Sequence, residues 1–373
     1  MIQRIHQLPA AAIASFALQL ILAATQPAAA QSLGYATSNY GIQPFNPTSA
    51  TLLGWIHVSE DIEGVPAVSS DGSKLYLPFE NNGSAGTVLG VLSPSGALIS
   101  RITGMGYSET YYRDKVLLSP NGETAFVMCN DSNTGPSLIA IVNLNTEAVT
   151  GYFLAQDGYF FDIALSPDGG HLFASVASYS DAARPAREAD PQASTPLYGC
   201  PGANTICDFN TSTFALAHQV KSLSGSLYIS QDGKSLYVIL GTATFALDVL
   251  NTTSFARSSI ALPFFPLVMA IAPSGNQAVV AASTDVSALD ELLLDTQSNT
   301  VVGTVPAPPI PKGTGIGQGG STMAFSPDGA SLWTLLCSGL SCNQMIVGQS
   351  FPSGNLIGEA TLPLVEGFNS IVF

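Results

Sequence analysis

Glu109, Arg113, Asp157 and Lys312 are the side chains whose types suit acid, base or anion-binding chemistry in segments rich in turn formers and aromatics. Such chemistry needs a base within hydrogen-bond reach of a substrate proton. No histidine stands beside any of the four, and no G-x-S-x-G marks an activated serine. The adjacent acids Asp290 and Glu291 fall in a run read as a strand, where neighbours point to opposite faces, so they are poor partners for two-carboxylate catalysis. No catalytic residue is assigned; Glu109, Arg113 and Asp157 stand as the candidates for any chemistry.

Aromatic residues offer a different use of the same segments. "GYSETYYRD" brings Tyr107, Tyr111 and Tyr112 up to Arg113, and "QDGYFFD" sets Asp157 before Tyr159, Phe160 and Phe161. Rings with polar tips suit a sugar or a peptide. Tyr107, Tyr111, Tyr112, Arg113, Tyr159 and Lys312 are therefore the ligand-binding candidates, while the phenylalanines, with Phe264 and Phe265 of "PFFP", read as packing.

Cofactor and metal signatures are absent from the sequence. Five cysteines occur, Cys129, Cys200, Cys207, Cys337 and Cys342, without a C-x-x-C or a haem-attachment motif, and His57, His171 and His218 are widely spaced. No metal site and no cofactor are expected. In an oxidising compartment "CPGANTIC" and "CSGLSC" would close the local disulfides Cys200–Cys207 and Cys337–Cys342, leaving Cys129 in a buried strand. Gly315, Gly317 and Gly320 satisfy a literal G-x-G-x-x-G, but proline precedes them and a strand follows, so the motif reads as a flexible loop instead of a dinucleotide site.

Residues 1–30 combine Arg4, an apolar stretch from Ala10 to Ala24 and the small residues Ala28 and Ala30. This is the pattern of a secretory signal peptide cleaved near Ala30. The stretch falls short of the roughly 20 residues that span a bilayer. A mature chain from about Gln31, without a membrane span, is expected to be secreted, periplasmic or at the cell surface. It would keep all 26 acidic side chains and 10 of the 11 basic ones, a balance that opposes nucleic acid and anionic membranes. With 46% hydrophobic and 10% charged residues, disorder is excluded and a large core implied.

The elements that must position these residues come from a repeat. Apolar run, tight turn and second apolar run recur as "AVSSDGSKLYLPF", "VLLSPNGETAFVMC", "IALSPDGGHLFASV", "LYISQDGKSLYVIL", "MAIAPSGNQAVVAA" and "MAFSPDGASLWTLL". The turn glycines Gly72, Gly122, Gly169, Gly233, Gly275 and Gly329 are 50, 47, 64, 42 and 54 residues apart. Periods of this length, with several short strands each, mark propeller blades. "FNSIVF" at the C-terminus matches the inner strand of a seventh copy, and "YGIQPFNPTS" with "ATLLGWIHVSE" supplies its partners from the N-terminal side. The expected fold is all-β: a seven-bladed β-propeller over residues 31–373, of four-stranded antiparallel blades, with one blade closed by strands from both termini.

The Ser-Pro-Asp-Gly turns and "LYV"-type strands, including "YVIL" at Tyr237 and "YLPF" at Tyr76, resemble the bacterial YVTN-type, WD40-like, surface-layer and lactonase-like seven-bladed propellers. For an enzyme, that resemblance implies a lactonase-like hydrolase with polar groups at the channel mouth, here Glu109, Arg113 and Asp157. In a propeller the repeated turns mark one face, and the loops on the opposite face are free to vary. A long insertion at about 180–207 in the third copy belongs to that variable face. The expected function is a non-enzymatic binding or scaffold module, monomeric, with a protein or glycan partner; the alternative is the hydrolase.

Overall fold

The computed structural model describes residues 33–62, 64–80, 87–105, 114–129, 137–178, 196–240, 244–285, 288–306, 314–316, 322–338, 343–363 and 368–373. Among them every regular element is a strand, and the strands make a propeller of four-stranded antiparallel blades. No helix is long and apolar enough to cross a membrane.

The described strands lie in seven sheets. From inner to outer strand, sheet one holds Ala67–Val68, Leu75–Glu80, Thr87–Leu92 and Leu98–Ile102. Sheet two holds Asp114–Leu118, Thr124–Cys129, Leu138–Asn143 and Ala148–Ala155; sheet three Tyr159–Leu165, His171–Ala177, Thr205–Asn210 and Leu216–Lys221. Sheet four holds Ser226–Ile229, Ser235–Ile239, Ala246–Asn251 and Arg257–Ala261; sheet five Val268–Ile271, Gln277–Asp285, Ala288–Asp295 and Thr300–Val305. Sheet six runs from Met323–Phe325 through Ser331–Ser338 and Asn343–Ser350 to Leu356–Thr361. The closing sheet joins the chain ends: Phe368–Val372 pairs antiparallel with Gly34–Ser38, followed by Gly41–Phe45 and Ile56–His57.

Strand alternation explains how one sheet serves two neighbours. Leu236 and Val238 pack toward sheet three, while Tyr237 and Ile239 pack toward sheet five. Both faces are buried, so the strands read as continuous apolar runs instead of alternating ones. Each apolar cluster draws on two successive sheets, and one of them joins Tyr35 and Ile42 of the closing sheet to Leu75, Leu77 and Phe79 of sheet one.

The repeated turns are built by a recurring hydrogen-bond set. Ser166 Oγ donates to Asp168 Oδ1 at 2.6 Å, Gly170 N–H donates to the same oxygen at 2.9 Å, and His171 N–H donates back to Ser166 Oγ at 2.9 Å. Ser326 with Asp328 and Ser119 with Asn121 repeat the pattern. Gly169 takes φ +73°, the left-handed region where a Cβ is strained. In sheets three, four and five a threonine ties the two turns of the blade together, as Thr211, Thr252 and Thr296 hydroxyls donate to the carbonyls of Gly169, Gly233 and Gly275.

Proline adds a contact between blades. A Cβ on Gly169 would sit 2.6 Å from Pro120 Cδ of the preceding sheet, and one on Gly329 3.4 Å from Pro273 Cδ. Where the preceding copy has Ser70 in place of proline, Gly122 meets nothing within 4 Å. Both Gly122 and Gly169 have positive φ, so alanine at either should cost about 1 kcal/mol or more in backbone strain. Gly169→Ala should destabilise distinctly more than Gly122→Ala in denaturant titrations, since it must also displace Pro120; equal losses would show that the proline contact carries no weight.

Candidate functional site

The inner strands of sheets two to four are joined by one ion pair. Lys115 Nζ donates to Asp162 Oδ1 and to the Ile163 carbonyl, both at 2.9 Å. Asp162 Oδ1 also accepts the Ile163 N–H at 2.7 Å, and its Oδ2 accepts the Leu227 N–H at 2.8 Å. A single carboxylate thus holds three consecutive inner strands. The side chains are 22% and 16% exposed, so the pair is partly shielded from solvent screening. Tyr228 extends the line toward sheet five: its hydroxyl meets the Met269 N–H, while burial and the charge of Asp162 raise its pKa.

Beside this pair lies a cavity of about 340 Å³. Leu117, Leu118, Leu165, Leu227 and Ile229 give it aliphatic walls, and Pro120 and Pro167 of the repeated turns stand exposed at its mouth. Lys115 lines the cavity with its ammonium already bonded to Asp162 and Ile163. The arrangement can hold an apolar group. It offers no acid or base poised for proton transfer.

The sequence candidates fall elsewhere. Tyr107, Glu109, Tyr111, Tyr112, Arg113 and Lys312 lie outside the described residues. Asp157 Oδ2 accepts the Gly202 N–H at 2.8 Å, so its carboxylate anchors the loop between Cys200 and Cys207. Tyr159 is half-buried on an inner strand, opposite Ala177. Cys200 and Cys207 are disulfide-bonded, Cys129 is a buried thiol in the strand Thr124–Cys129, and Cys342 is outside the described residues. Asp290 is exposed while Glu291 is buried, as opposite faces of one strand require.

Two segments differ from their sequence reading. Gly315 is not in a loop: Thr314–Ile316 pairs antiparallel with the strand Ser331–Ser338, which also pairs with Met323–Phe325, while Gly317 and Gly320 lie outside the described residues. Part of the insertion is also ordered into a sheet. Leu197–Cys200 pairs in parallel with Ala148–Ala155, adding an outer strand to sheet two, and the disulfide ties that strand to Thr205–Asn210 of sheet three. An aromatic cluster fills the join, with Phe153 centred 4.2 Å from Phe209, 5.8 Å from Tyr198 and 6.1 Å from Phe214.

Sequence reasoning missed Lys115 and Asp162, although each stands four residues before the turn serine of its copy, Ser119 and Ser166. Opposite charges at one place of consecutive repeats were the available signal. It also missed Glu291. This side chain is 2% exposed between sheets five and six, accepts a hydrogen bond from Gln349 Nε2, and is pushed up to about 7 by burial while Gln349 pulls the other way. Glu291 Oε1 and Gln349 Oε1 have no partner, so a proton on Glu291 supplies the donor the pair lacks. On sheet three the buried Asp208 meets His171 Nδ1 at 2.8 Å, and burial raises its pKa against the pull of His171 and His218. Among the described residues no group of three or more His, Cys, Asp or Glu is placed to hold a metal.

No family model and no curated protein matches the chain. Solved structures do. A functionally unknown protein from Desulfotomaculum acetoxidans DSM 771 superposes with a TM-score of 0.62 at 15% identity, covering 91% of this chain and 98% of its own. Hydrazine synthase from Kuenenia stuttgartiensis superposes with a TM-score of 0.59 at 14% identity, covering 90% of this chain and 93% of its own. The likeness is one of fold.

Two outcomes follow for stability. Replacing Cys200 and Cys207 by serine reopens a short loop, and should lower unfolding free energy by about 2.5 kcal/mol on the chain-entropy relation; a reduced wild-type control should match the variant in calorimetry. For Glu291 the folded chain holds its proton more tightly than the unfolded chain, whose value is near 4.5. Stability is then full below that value and falls as pH rises toward 7, by about 3 kcal/mol at ~1.4 kcal/mol per pH unit. Glu291→Gln should flatten that slope and raise stability at pH 8; a slope unchanged in the variant would assign it to other groups.

Proposed function

We propose that this chain is a seven-bladed propeller of the YVTN-type and lactonase-like assemblage, exported from the cytoplasm, that works as a non-enzymatic binding module for a protein partner. The seven-fold reading draws support from the seven sheets, from apolar clusters shared by successive sheets, and from the pairing of Gly34–Ser38 with Phe368–Val372. Export is supported by residues 1–30 and by the Cys200–Cys207 disulfide, a bond favoured in oxidising compartments.

The observation that carries the binding reading is the cavity beside Lys115. Lys115, its one charged lining residue, is satisfied within the scaffold, and most of the other lining side chains are apolar, with Ser166 among them. Such a wall favours a protein side chain over a glycan, which needs hydrogen-bonding groups and stacking rings. Asp157, the described member of the hydrolase candidates, has its carboxylate engaged by Gly202, and this favours a structural role for it.

The test is a melting panel of peptides, glycans and lactones with a parallel assay for lactone hydrolysis. A peptide present at 100 times its dissociation constant should add about 2.7 kcal/mol to folded-state stability, with no turnover of any lactone. Hydrolysis that disappears in Asp157→Ala would replace the binding module with the hydrolase.

A further inference from the structure

The repeated turns that follow the lining residues Pro120, Pro167 and Ile229 carry charge mainly of one sign. Asn121 and Glu123 follow the exposed Pro120, Asp168 follows the exposed Pro167, and Asp232 occupies the matching turn of sheet four; all are exposed. The Ser166 hydroxyl and then the Gly170 N–H hold Asp168 below the usual carboxylate range, and the Ser230 hydroxyl does the same for Asp232. Both are charged at neutral pH. Lys234 leans on Asp232 at 3.5 Å, whereas the exposed Glu123 accepts the neutral Asn121 amide at 2.9 Å and the exposed Asp168 accepts only its turn's own donors.

The lining side chains are mainly apolar, with Lys115 and Ser166 among them, and the cavity's 340 Å³ lies at the small end of ligand pockets. That volume suits one or two side chains more than an extended oligosaccharide. Lys115 lines the wall with its side chain turned to Asp162, and a cationic tip would meet it there, which favours an apolar tip inside and cations on the acidic turns outside. The net charge of −15 would steer a basic partner toward the chain.

We propose, resting on the binding-module reading above, that the cavity receives a leucine- or isoleucine-sized side chain from a cationic segment of a protein partner. Lysines or arginines on either side of that side chain meet Glu123, Asp168 and Asp232. The repeated-turn face is then the docking face.

The probe is a fluorescein-labelled, end-capped Lys-Lys-Leu-Lys-Lys peptide, compared with versions carrying serine at the centre or glutamate at the flanks. Anisotropy titrations into the full chain should give saturable binding of the first peptide, at least about tenfold tighter than either control and weakened by salt. The triple variant Glu123→Gln, Asp168→Asn, Asp232→Asn should fold, because Asn121 already forms the same turn with Ser119. A cavity-filling pair, Leu165→Phe with Ile229→Phe, places the ring that Phe325 carries at the corresponding place before Ser326. Each variant should keep its melting temperature and lose at least about tenfold in affinity. Equal binding of all three peptides, or undiminished binding by both variants, would overturn the inference. Stabilisation by a glycan or by the glutamate-flanked peptide alone would overturn it too while leaving the binding module standing, whereas lactone turnover would remove the module itself.

Discussion

Every sheet in this protein has two apolar faces, and neither face can be left to water. A linear stack of such sheets would expose an apolar surface at each end, so the arrangement is stable when the last sheet meets the first. The hydrogen bonds between Gly34–Ser38 and Phe368–Val372 supply that meeting, and the short contact of Thr37 with Ser370 lies within it. Phe45 and Trp333, with ring centres 4.7 Å apart, pack the closing sheet onto sheet six. Strands from the two ends of the described chain are therefore as much a part of the core as any in the middle.

The fold was legible in the sequence because its repeat is written in local chemistry. A serine, an aspartate or asparagine and a left-handed glycine define the turn in five copies, and the sixth keeps the glycine, so that six copies announced the sheets. Contacts made across copies were less legible. Lys115 and Asp162 are 47 residues apart, and their pairing is visible only when consecutive copies are laid over one another. The parallel pairing of Leu197–Cys200 with Ala148–Ala155 was hidden for the same reason, since that strand serves a sheet to which its own copy does not belong. Gly315 misled in the opposite direction: its local composition says loop, and pairing with the neighbouring strand overrides it.

The candidate site shows a related divide. Sequence variation directed attention to the long loops and their aromatics, whereas the described cavity opens among the invariant-looking turns that build the scaffold. Pro120, Pro167 and Ser166 of the hairpin turns also line it, and so does Lys115 of the ion pair that aligns three sheets. Scaffold and site share residues here. For that reason a repeat pattern read as architecture alone conceals the binding surface it creates.

The added strand Leu197–Cys200 has a consequence beyond local packing. Outer strands of sheets are open templates for a second chain, and the hazard grows with length and apolar character. Ala148–Ala155 is the longest outer strand described, eight residues without a charge, carrying Tyr152, Phe153 and Leu154 in a row. Its neighbours at the rim are shorter, and Leu98–Ile102, Arg257–Ala261 and Leu356–Thr361 each include a charged residue. The segment from the next copy lies along this edge and is fastened there by a covalent bond, so the chain occupies its own most adhesive margin before another molecule can.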